Sequence, residues 1–273
     1  MTNINNKELE KYLIKRKLDK DYLFIPYLAY SYPELELCSD IIDIFIEEGA
    51  DTIELGLPFT DPIADGPILQ KVFKKVLEKP FHKKDLYKFI EKVNANHPNY
   101  PLLLMGYANM FLQENEKDFF NKLYDRNVRG VIVPDMPYHE KLRLQKSNKD
   151  IFEQTQKIPW IDFITPTSKE ERIKEIAKNA AGFLYVVSTK GVTGQNEFSL
   201  SRLKSLFYRL REETEIPLMV GFGVKTRAHV EEALKYADGF IIGSKIHEII
   251  DENIHHLGKI PVKIRQYIRE LKP

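Results

Sequence analysis

Two hydrophobic periods alternate about eight times along this chain, and that alternation limits what it can fold into. Short apolar runs recur at Leu23–Tyr30, Thr52–Leu55, Leu102–Met105, Val131–Val133, Trp160–Ile164, Phe183–Val187, Leu218–Val220 and Phe240–Ile242. Runs this short, apolar on both faces, read as strands of a parallel sheet covered by helices. Between them, Leu37, Ile41, Ile44 and Phe45 share one helical face, as do Leu86, Phe89, Ile90 and Val93. The pattern repeats at Ile173, Ile176, Ala177 and Ala180, at Leu203, Leu206, Phe207 and Leu210, and at Val230, Ala233, Leu234 and Ala237. Charged residues fill the opposite faces, as expected of helices with one buried stripe. About eight strand–helix units in 273 residues predict an α/β fold, a (β/α)8 TIM barrel in one domain over residues 1–273. The competing open, doubly wound sheet usually carries a glycine-rich turn after its first strand. Here the first run ends Ala29-Tyr30-Ser31-Tyr32-Pro33, and the glycines cluster late, which favours the barrel. An extra N-terminal helix is expected over Lys7–Lys17, with Leu9, Tyr12, Leu13 and Ile14 turned inward to plug the barrel bottom. A last helix near Pro261–Leu271 closes the outer ring.

Charge narrows the partners. Lys plus Arg number 41 against 40 Asp plus Glu, with no long basic stripe, so neither nucleic acid nor an anionic membrane surface is expected. A small anionic substrate stays open, because backbone N–H groups can hold a phosphate without net positive charge. The single cysteine, Cys38, cannot make an internal disulfide and lies in an apolar-periodic helix, where it reads as a small buried hydrophobe. The N-terminus has no apolar core of a secretory signal and no run is long enough to span a bilayer, so a soluble, cytoplasmic protein is expected.

Barrel active sites lie at the C-terminal ends of strands. The clearest polar group there is Glu54, within Thr52-Ile53-Glu54-Leu55-Gly56. If Ile53 and Leu55 pack against helices, alternation turns Glu54 into the barrel mouth, where apolar surroundings raise its pKa toward the range a general acid/base needs. The alternative is a structural ion pair. The following loop, Gly56 to Pro67, carries Asp61 and Asp65. Asp65, followed by Gly66, is the better candidate to swing over Glu54, while Asp61-Pro62 reads as a turn; both acids could equally be solvated or cap a helix. Glycines after three late strands, Gly191 and Gly194, Gly221 and Gly223, and Gly243 with Ser244, suggest a phosphate clamp. Tyr185 reads as a core aromatic or a substrate-facing phenol. No metal is expected, since of the seven histidines only His139 lies just after a strand. Lys190 is the one candidate for a Schiff base, and a loop lysine is usually solvated.

The segment Thr52–Pro67, T-I-E-L-G-L-P-F-T-D-P-I-A-D-G-P, resembles the signature of the tryptophan synthase α subunit family. Gly106-Tyr107-Ala108-Asn109, Pro134-Asp135-Met136-Pro137, Ser188 with Gly191-Val192-Thr193-Gly194, Gly221-Phe222-Gly223 and Gly243-Ser244 match in order, so the resemblance runs from about Phe24 to the end. It implies retro-aldol cleavage of indole-3-glycerol phosphate to indole and glyceraldehyde 3-phosphate. Glu54 would be the general acid/base and Asp65 its partner. Tyr185 would be the active-site tyrosine and Thr193 the threonine of a mobile loop. Gly194, Gly223, Gly243 and Ser244 would contact phosphate, with Tyr27, Ile132, Ile164 and Phe222 lining the indole pocket. It further implies an α2β2 assembly in which pyridoxal phosphate belongs to the β subunit and this chain carries no cofactor. Tyr27 departs from a common phenylalanine, Ser31-Tyr32-Pro33 from a common Gly-Asp-Pro turn, and Thr189-Lys190 from an arginine found in some members. Two other readings stay open: another phosphate-binding barrel synthase or isomerase, and a non-catalytic barrel that activates a β partner.

Overall fold

The computed structural model describes residues 7–112, 116–187, 203–221 and 223–273. Eight strands close into a barrel in chain order. They are β1 (Leu23–Ala29), β2 (Ile53–Gly56), β3 (Leu102–Met105), β4 (Val128–Ile132), β5 (Trp160–Ile164), β6 (Leu184–Val187), β7 (Leu218–Gly221) and β8 (Gly239–Ile242). Every neighbouring pair is parallel, and β8 pairs back to β1. The first helices are α1 (Glu8–Lys20), α2 (Leu35–Glu47), α3 (Pro67–Val76) and α4 (Lys83–Asn96). After β3 come α5 (Ala108–Phe111) and α6 (Glu116–Tyr124), and after β4 come α7 (Tyr138–Ser147) and α8 (Lys149–Lys157). The ring closes with α9 (Glu170–Asn179), α10 (Lys204–Glu213), α11 (Arg227–Leu234), α12 (Ser244–Glu252) and α13 (Ile260–Leu271). This is the (β/α)8 barrel expected from the alternation.

The expected strands match to within a residue or two except β4, which starts at Val128 rather than Val131. Arg129 interrupts the apolar run there. Its guanidinium leaves the sheet to bond the Tyr124 carbonyl and Glu8 of α1, so the backbone continues as strand.

Register decides which side chains enter the barrel, since bridged residues of parallel strands share a face. Tyr27 pairs with Glu54, Glu54 with Leu103, and Leu103 with Gly130. All of these therefore face inward, and Ile53 and Leu55 face the helices.

The bottom of the barrel is closed by α1. Leu9 and Leu13 are buried, and Leu9 reaches so far inside that a Cβ on Gly130 or Gly182 would come within 3.1 or 2.9 Å of its Cδ2. Ile14 is 37% exposed, so it lies outside the plug that the periodicity gave it; a helix crossing a barrel mouth buries a narrow stripe. Two buried carboxylates anchor the helix. Asp51 accepts from Phe24 N–H at 2.7 Å, Arg16 at 2.8 Å and Lys20 at 2.7 Å. Asp238 accepts from Lys17, Arg211 and the Leu218 N–H. Leu9→Ala is expected to cost about 2–4 kcal/mol, because the hole it leaves is walled by strands that cannot collapse. Urea unfolding checks this, and a loss under about 1 kcal/mol would mean that the plug is dispensable.

Candidate active site

Glu54 is 1% exposed, its Oε2 has no hydrogen-bond partner, and its surroundings are the barrel interior. Desolvation, and then the nearby charge of Asp65, push its pKa up to about 8. The loop after β2 brings that second carboxyl. Asp65 is 3% exposed and accepts from the Tyr107 hydroxyl at 2.7 Å. Its own pKa is raised by burial to about 6, and the Tyr107 bond opposes the rise by favouring the ionised form. The two acids are thus pushed apart, the arrangement that lets one donate a proton while the other stays ionised.

A glycine after Asp65 suggests that backbone freedom brings the carboxyl over Glu54, and the structure shows otherwise. Gly66 has φ −73° and ψ 168°, a conformation open to any residue, so glycine freedom does not deliver the aspartate. The loop is folded by other contacts. Asp65 N–H donates to the Pro62 carbonyl at 3.0 Å, Gln70 donates to the Asp65 carbonyl at 2.9 Å, and Pro67 opens α3. Tyr107, just before α5, serves the loop twice: its hydroxyl donates to Asp65 and accepts the Ala64 N–H at 3.0 Å. Its ring stacks on Phe59 at 4.7 Å. In the sequence Tyr107 stands only inside the matching segment Gly106-Tyr107-Ala108-Asn109, and no spacing ties it to Asp65. Asp61 lies exposed at the turn, accepting from Thr60, as expected.

Two tyrosines flank the acids, each lying across a glycine. The Tyr27 ring extends from Gly243 at the end of β8 to Gly56 at the end of β2; a Cβ on Gly56 would collide with its hydroxyl at 2.0 Å. That hydroxyl is buried and unpartnered. Tyr185 lies over Gly221 in the same way, 2.2 Å from where a Cβ would stand. So Gly56 and Gly221 are required by ring packing, whatever their backbones also contact. Burial raises both phenols well above the ordinary tyrosine range, and they stay protonated.

The other expected residues divide. Ile132 ends β4, buried and on the inward face with Gly130. Ile164 is buried but in register with Val186, whereas Phe163 is in register with Tyr185 and its ring stands 5.0 Å away. Phe163, not Ile164, is the β5 side chain on the face of Tyr185. Gly223 has φ +95°, a left-handed conformation that glycine adopts without strain. Gly243 caps α12 and Ser244 is its first residue, so the first N–H groups of that helix open toward the strand ends. Thr193, Gly194 and Phe222 lie outside the described residues, as do Ser188, Thr189, Lys190, Gly191 and Val192.

Removing the Tyr107 hydroxyl by Tyr107→Phe takes away the bond that favours ionised Asp65. The acid limb of the activity profile is then expected to move to higher pH, with kcat at neutral pH down several-fold. The pH dependence of kcat checks this; an unmoved limb would show that Asp65 ionisation does not set it.

Fold and site together define a (β/α)8 barrel with a pair of buried carboxyls at the mouth formed by its strand ends, an arrangement suited to acid–base chemistry. The comparisons with known proteins narrow the class. The family model described as tryptophan synthase alpha chain matches residues 13–272. A tryptophan synthase alpha chain of Petrotoga mobilis is 36% identical over 91% of this chain and 94% of its own length. One from Methanocaldococcus jannaschii is 33% identical over 90% of this chain and 85% of its own. Tryptophan synthase subunit alpha of Legionella pneumophila superposes with a TM-score of 0.81 at 27% identity, covering 99% of this chain and 98% of that one. The chain belongs to the tryptophan synthase alpha chain family, whose members cleave indole-3-glycerol phosphate at a carbon–carbon bond.

Proposed function

We propose that Glu54 and Asp65 perform the family's retro-aldol cleavage of indole-3-glycerol phosphate to indole and glyceraldehyde 3-phosphate. The observation that carries the assignment is a pair of buried carboxyls at one barrel mouth, Glu54 with no partner at Oε2 and Asp65 held by the Tyr107 hydroxyl, with burial raising the pKa of both. Near neutral pH, Glu54 holds a proton and Asp65 is ionised. Indole is a poor carbanion leaving group. Proton transfer from Glu54 to ring carbon C3 makes a cationic indolenine that can accept the C–C bond pair. Asp65, accepting from the indole N–H, stabilises that cation. Glu54, now ionised, removes the proton from the adjacent glycerol hydroxyl. The C–C bond then breaks, its electrons restore the neutral indole ring, and the hydroxyl carbon leaves as the aldehyde. The proton account closes with Glu54 protonated again.

Tyr27, Ile132, Tyr185, Phe222 and, through the inward face of β5, Phe163 form the walls for the indole ring. Gly194, Gly223, Gly243 and Ser244 hold the phosphate, so that remote binding energy orients the reacting carbon. Thr193, outside the described residues, takes the place of the family's loop threonine. No step needs a cofactor in this chain, and pyridoxal phosphate belongs to the β partner. Members of the family pair with a β subunit; we assign an α2β2 assembly, with Ile63, 74% exposed at the tip of the Asp65 loop beside Pro134 and Pro137, on the partner side. No described helix is long and apolar enough to cross a membrane. One barrel domain over residues 1–273 working in the cytoplasm completes the reading.

The test is release of indole from indole-3-glycerol phosphate by the chain alone and mixed with β subunit. Indole and glyceraldehyde 3-phosphate in equal amounts are expected in both. Turnover to another product would favour a different phosphate-binding barrel chemistry. Activation of β without indole release would favour the scaffold reading.

A further inference from the structure

His247 stands in the first turn of α12, four residues after Gly243, and is fully buried. An apolar side chain would fill that place; a buried imidazole must find partners or cost free energy. It finds two. The last β1 residue paired to β8 is Pro26, and three residues on, the Ala29 N–H donates to His247 Nε2 at 3.0 Å. With Nε2 accepting, the proton of the neutral ring sits on Nδ1, which donates to the Gly243 carbonyl at 2.9 Å. The backbone N–H of His247 reaches the same oxygen at 3.2 Å. Burial pushes the imidazole pKa down to about 4, which keeps it in this neutral form. The rings of Tyr27 and Tyr32 flank it, with centroids 5.6 and 6.2 Å away.

The geometry of Gly243 makes this pairing matter to the site. In a planar trans peptide the Gly243 C=O and the Ser244 N–H point in opposite directions. A carbonyl tied into the helix by His247 therefore aims the Ser244 N–H out of the helix end, where the macrodipole favours an anion. Gly243 also borders the reaction cavity directly, since a Cβ there would come within 3.0 Å of the Tyr27 ring. That ring carries the buried, unpartnered hydroxyl among the acids. We propose that His247 is a positioning residue for the substrate phosphate: its Nδ1–H holds the Gly243 carbonyl so that the Gly243–Ser244 peptide presents its N–H to the anion. The proposal rests on the reading of Gly243 and Ser244 as part of the phosphate site.

Two substitutions separate the halves of the ring. His247→Asn keeps a donor near the Nδ1 position and gives up the acceptor for Ala29. His247→Gln reaches the Nε2 position and gives up the donor to Gly243. Glycerol 3-phosphate is titrated calorimetrically into wild type and both variants, with kcat, KM and thermal midpoints measured alongside. His247→Gln is expected to bind about tenfold more weakly and to raise KM with little change in kcat, the mark of lost binding common to ground and transition states. His247→Asn is expected to bind within about twofold of wild type while its midpoint falls, because a buried N–H is left unpaired. The reverse pattern, or equal binding by all three, would assign the histidine to Ala29 alone and overturn the proposal. Failure of wild type to bind glycerol 3-phosphate would instead overturn the phosphate site itself, and the proposal with it.

Discussion

Glu54→Gln is expected to lower kcat for indole release by about 10²–10⁴-fold, the range a positioned general acid/base contributes. Glutamine keeps the shape and the inward position of β2 but can neither give a proton to C3 nor take one from the hydroxyl. Binding of glycerol 3-phosphate should change little, because the anion site proposed at Gly243 and Ser244 lies at the end of β8 and the start of α12, beyond Tyr27. Turnover like wild type would remove Glu54 from the chemistry. The same variant should be more stable than wild type at alkaline pH. The folded-state pKa of Glu54 is raised from the ordinary 4.5 to about 8, so the folded protein binds more protons than the unfolded chain across that window. Stability therefore falls as pH rises from about 4.5 to 8, by at most about 1.4 kcal/mol per pH unit for one proton. Glutamine has no charge to bury and removes that fall.

Asp65→Asn is expected to cost about 10²–10³-fold in kcat, comparable to loss of one preorganised group facing charge that develops in the transition state. Asparagine can still accept from the Tyr107 hydroxyl, so the loop should keep its fold while losing the negative charge that balances the cationic ring. The alkaline limb should move as well. Asp65 charge is one of the two causes that raise Glu54, so its removal should bring the Glu54 pKa down and pull that limb to lower pH. A variant with near-normal kcat would mean that Asp65 only shapes the loop.

The barrel was legible because its determinants are local. Each strand is a short apolar run and each helix a stripe with charges behind it, so Leu102–Met105 and Trp160–Ile164 could be bounded by inspection. Glu54 was legible for the same reason, as a carboxyl in a strand whose neighbours must face the helices. What depends on contacts between distant residues was not. Tyr107 meets Asp65 across 42 positions, from a different strand end, and no spacing announces it. His247 was one of seven histidines with no reading of its own; its contacts come from Ala29 and Gly243, and only barrel closure brings Ala29 to the ring. The faces at the end of β5 were also hidden, since Phe163 and Ile164 are both apolar and offer both parities, and pairing with β6 selects Phe163. The glycines misled in a subtler way. Gly221 read as part of a phosphate clamp and Gly56 carried no reading, yet at both a tyrosine ring occupies the space where a side chain would stand.

Two neighbouring carboxyl groups in opposite charge states at neutral pH are what the proposed chemistry requires. Carbon-13 NMR titration of the side-chain carboxyls, assigned with Glu54→Gln and Asp65→Asn, measures this directly. The prediction is two transitions, the lower near 6 lost in the Asp65 variant and the upper near 8 lost in the Glu54 variant. Both groups titrating together in the ordinary carboxylate range, below about 5, would contradict it.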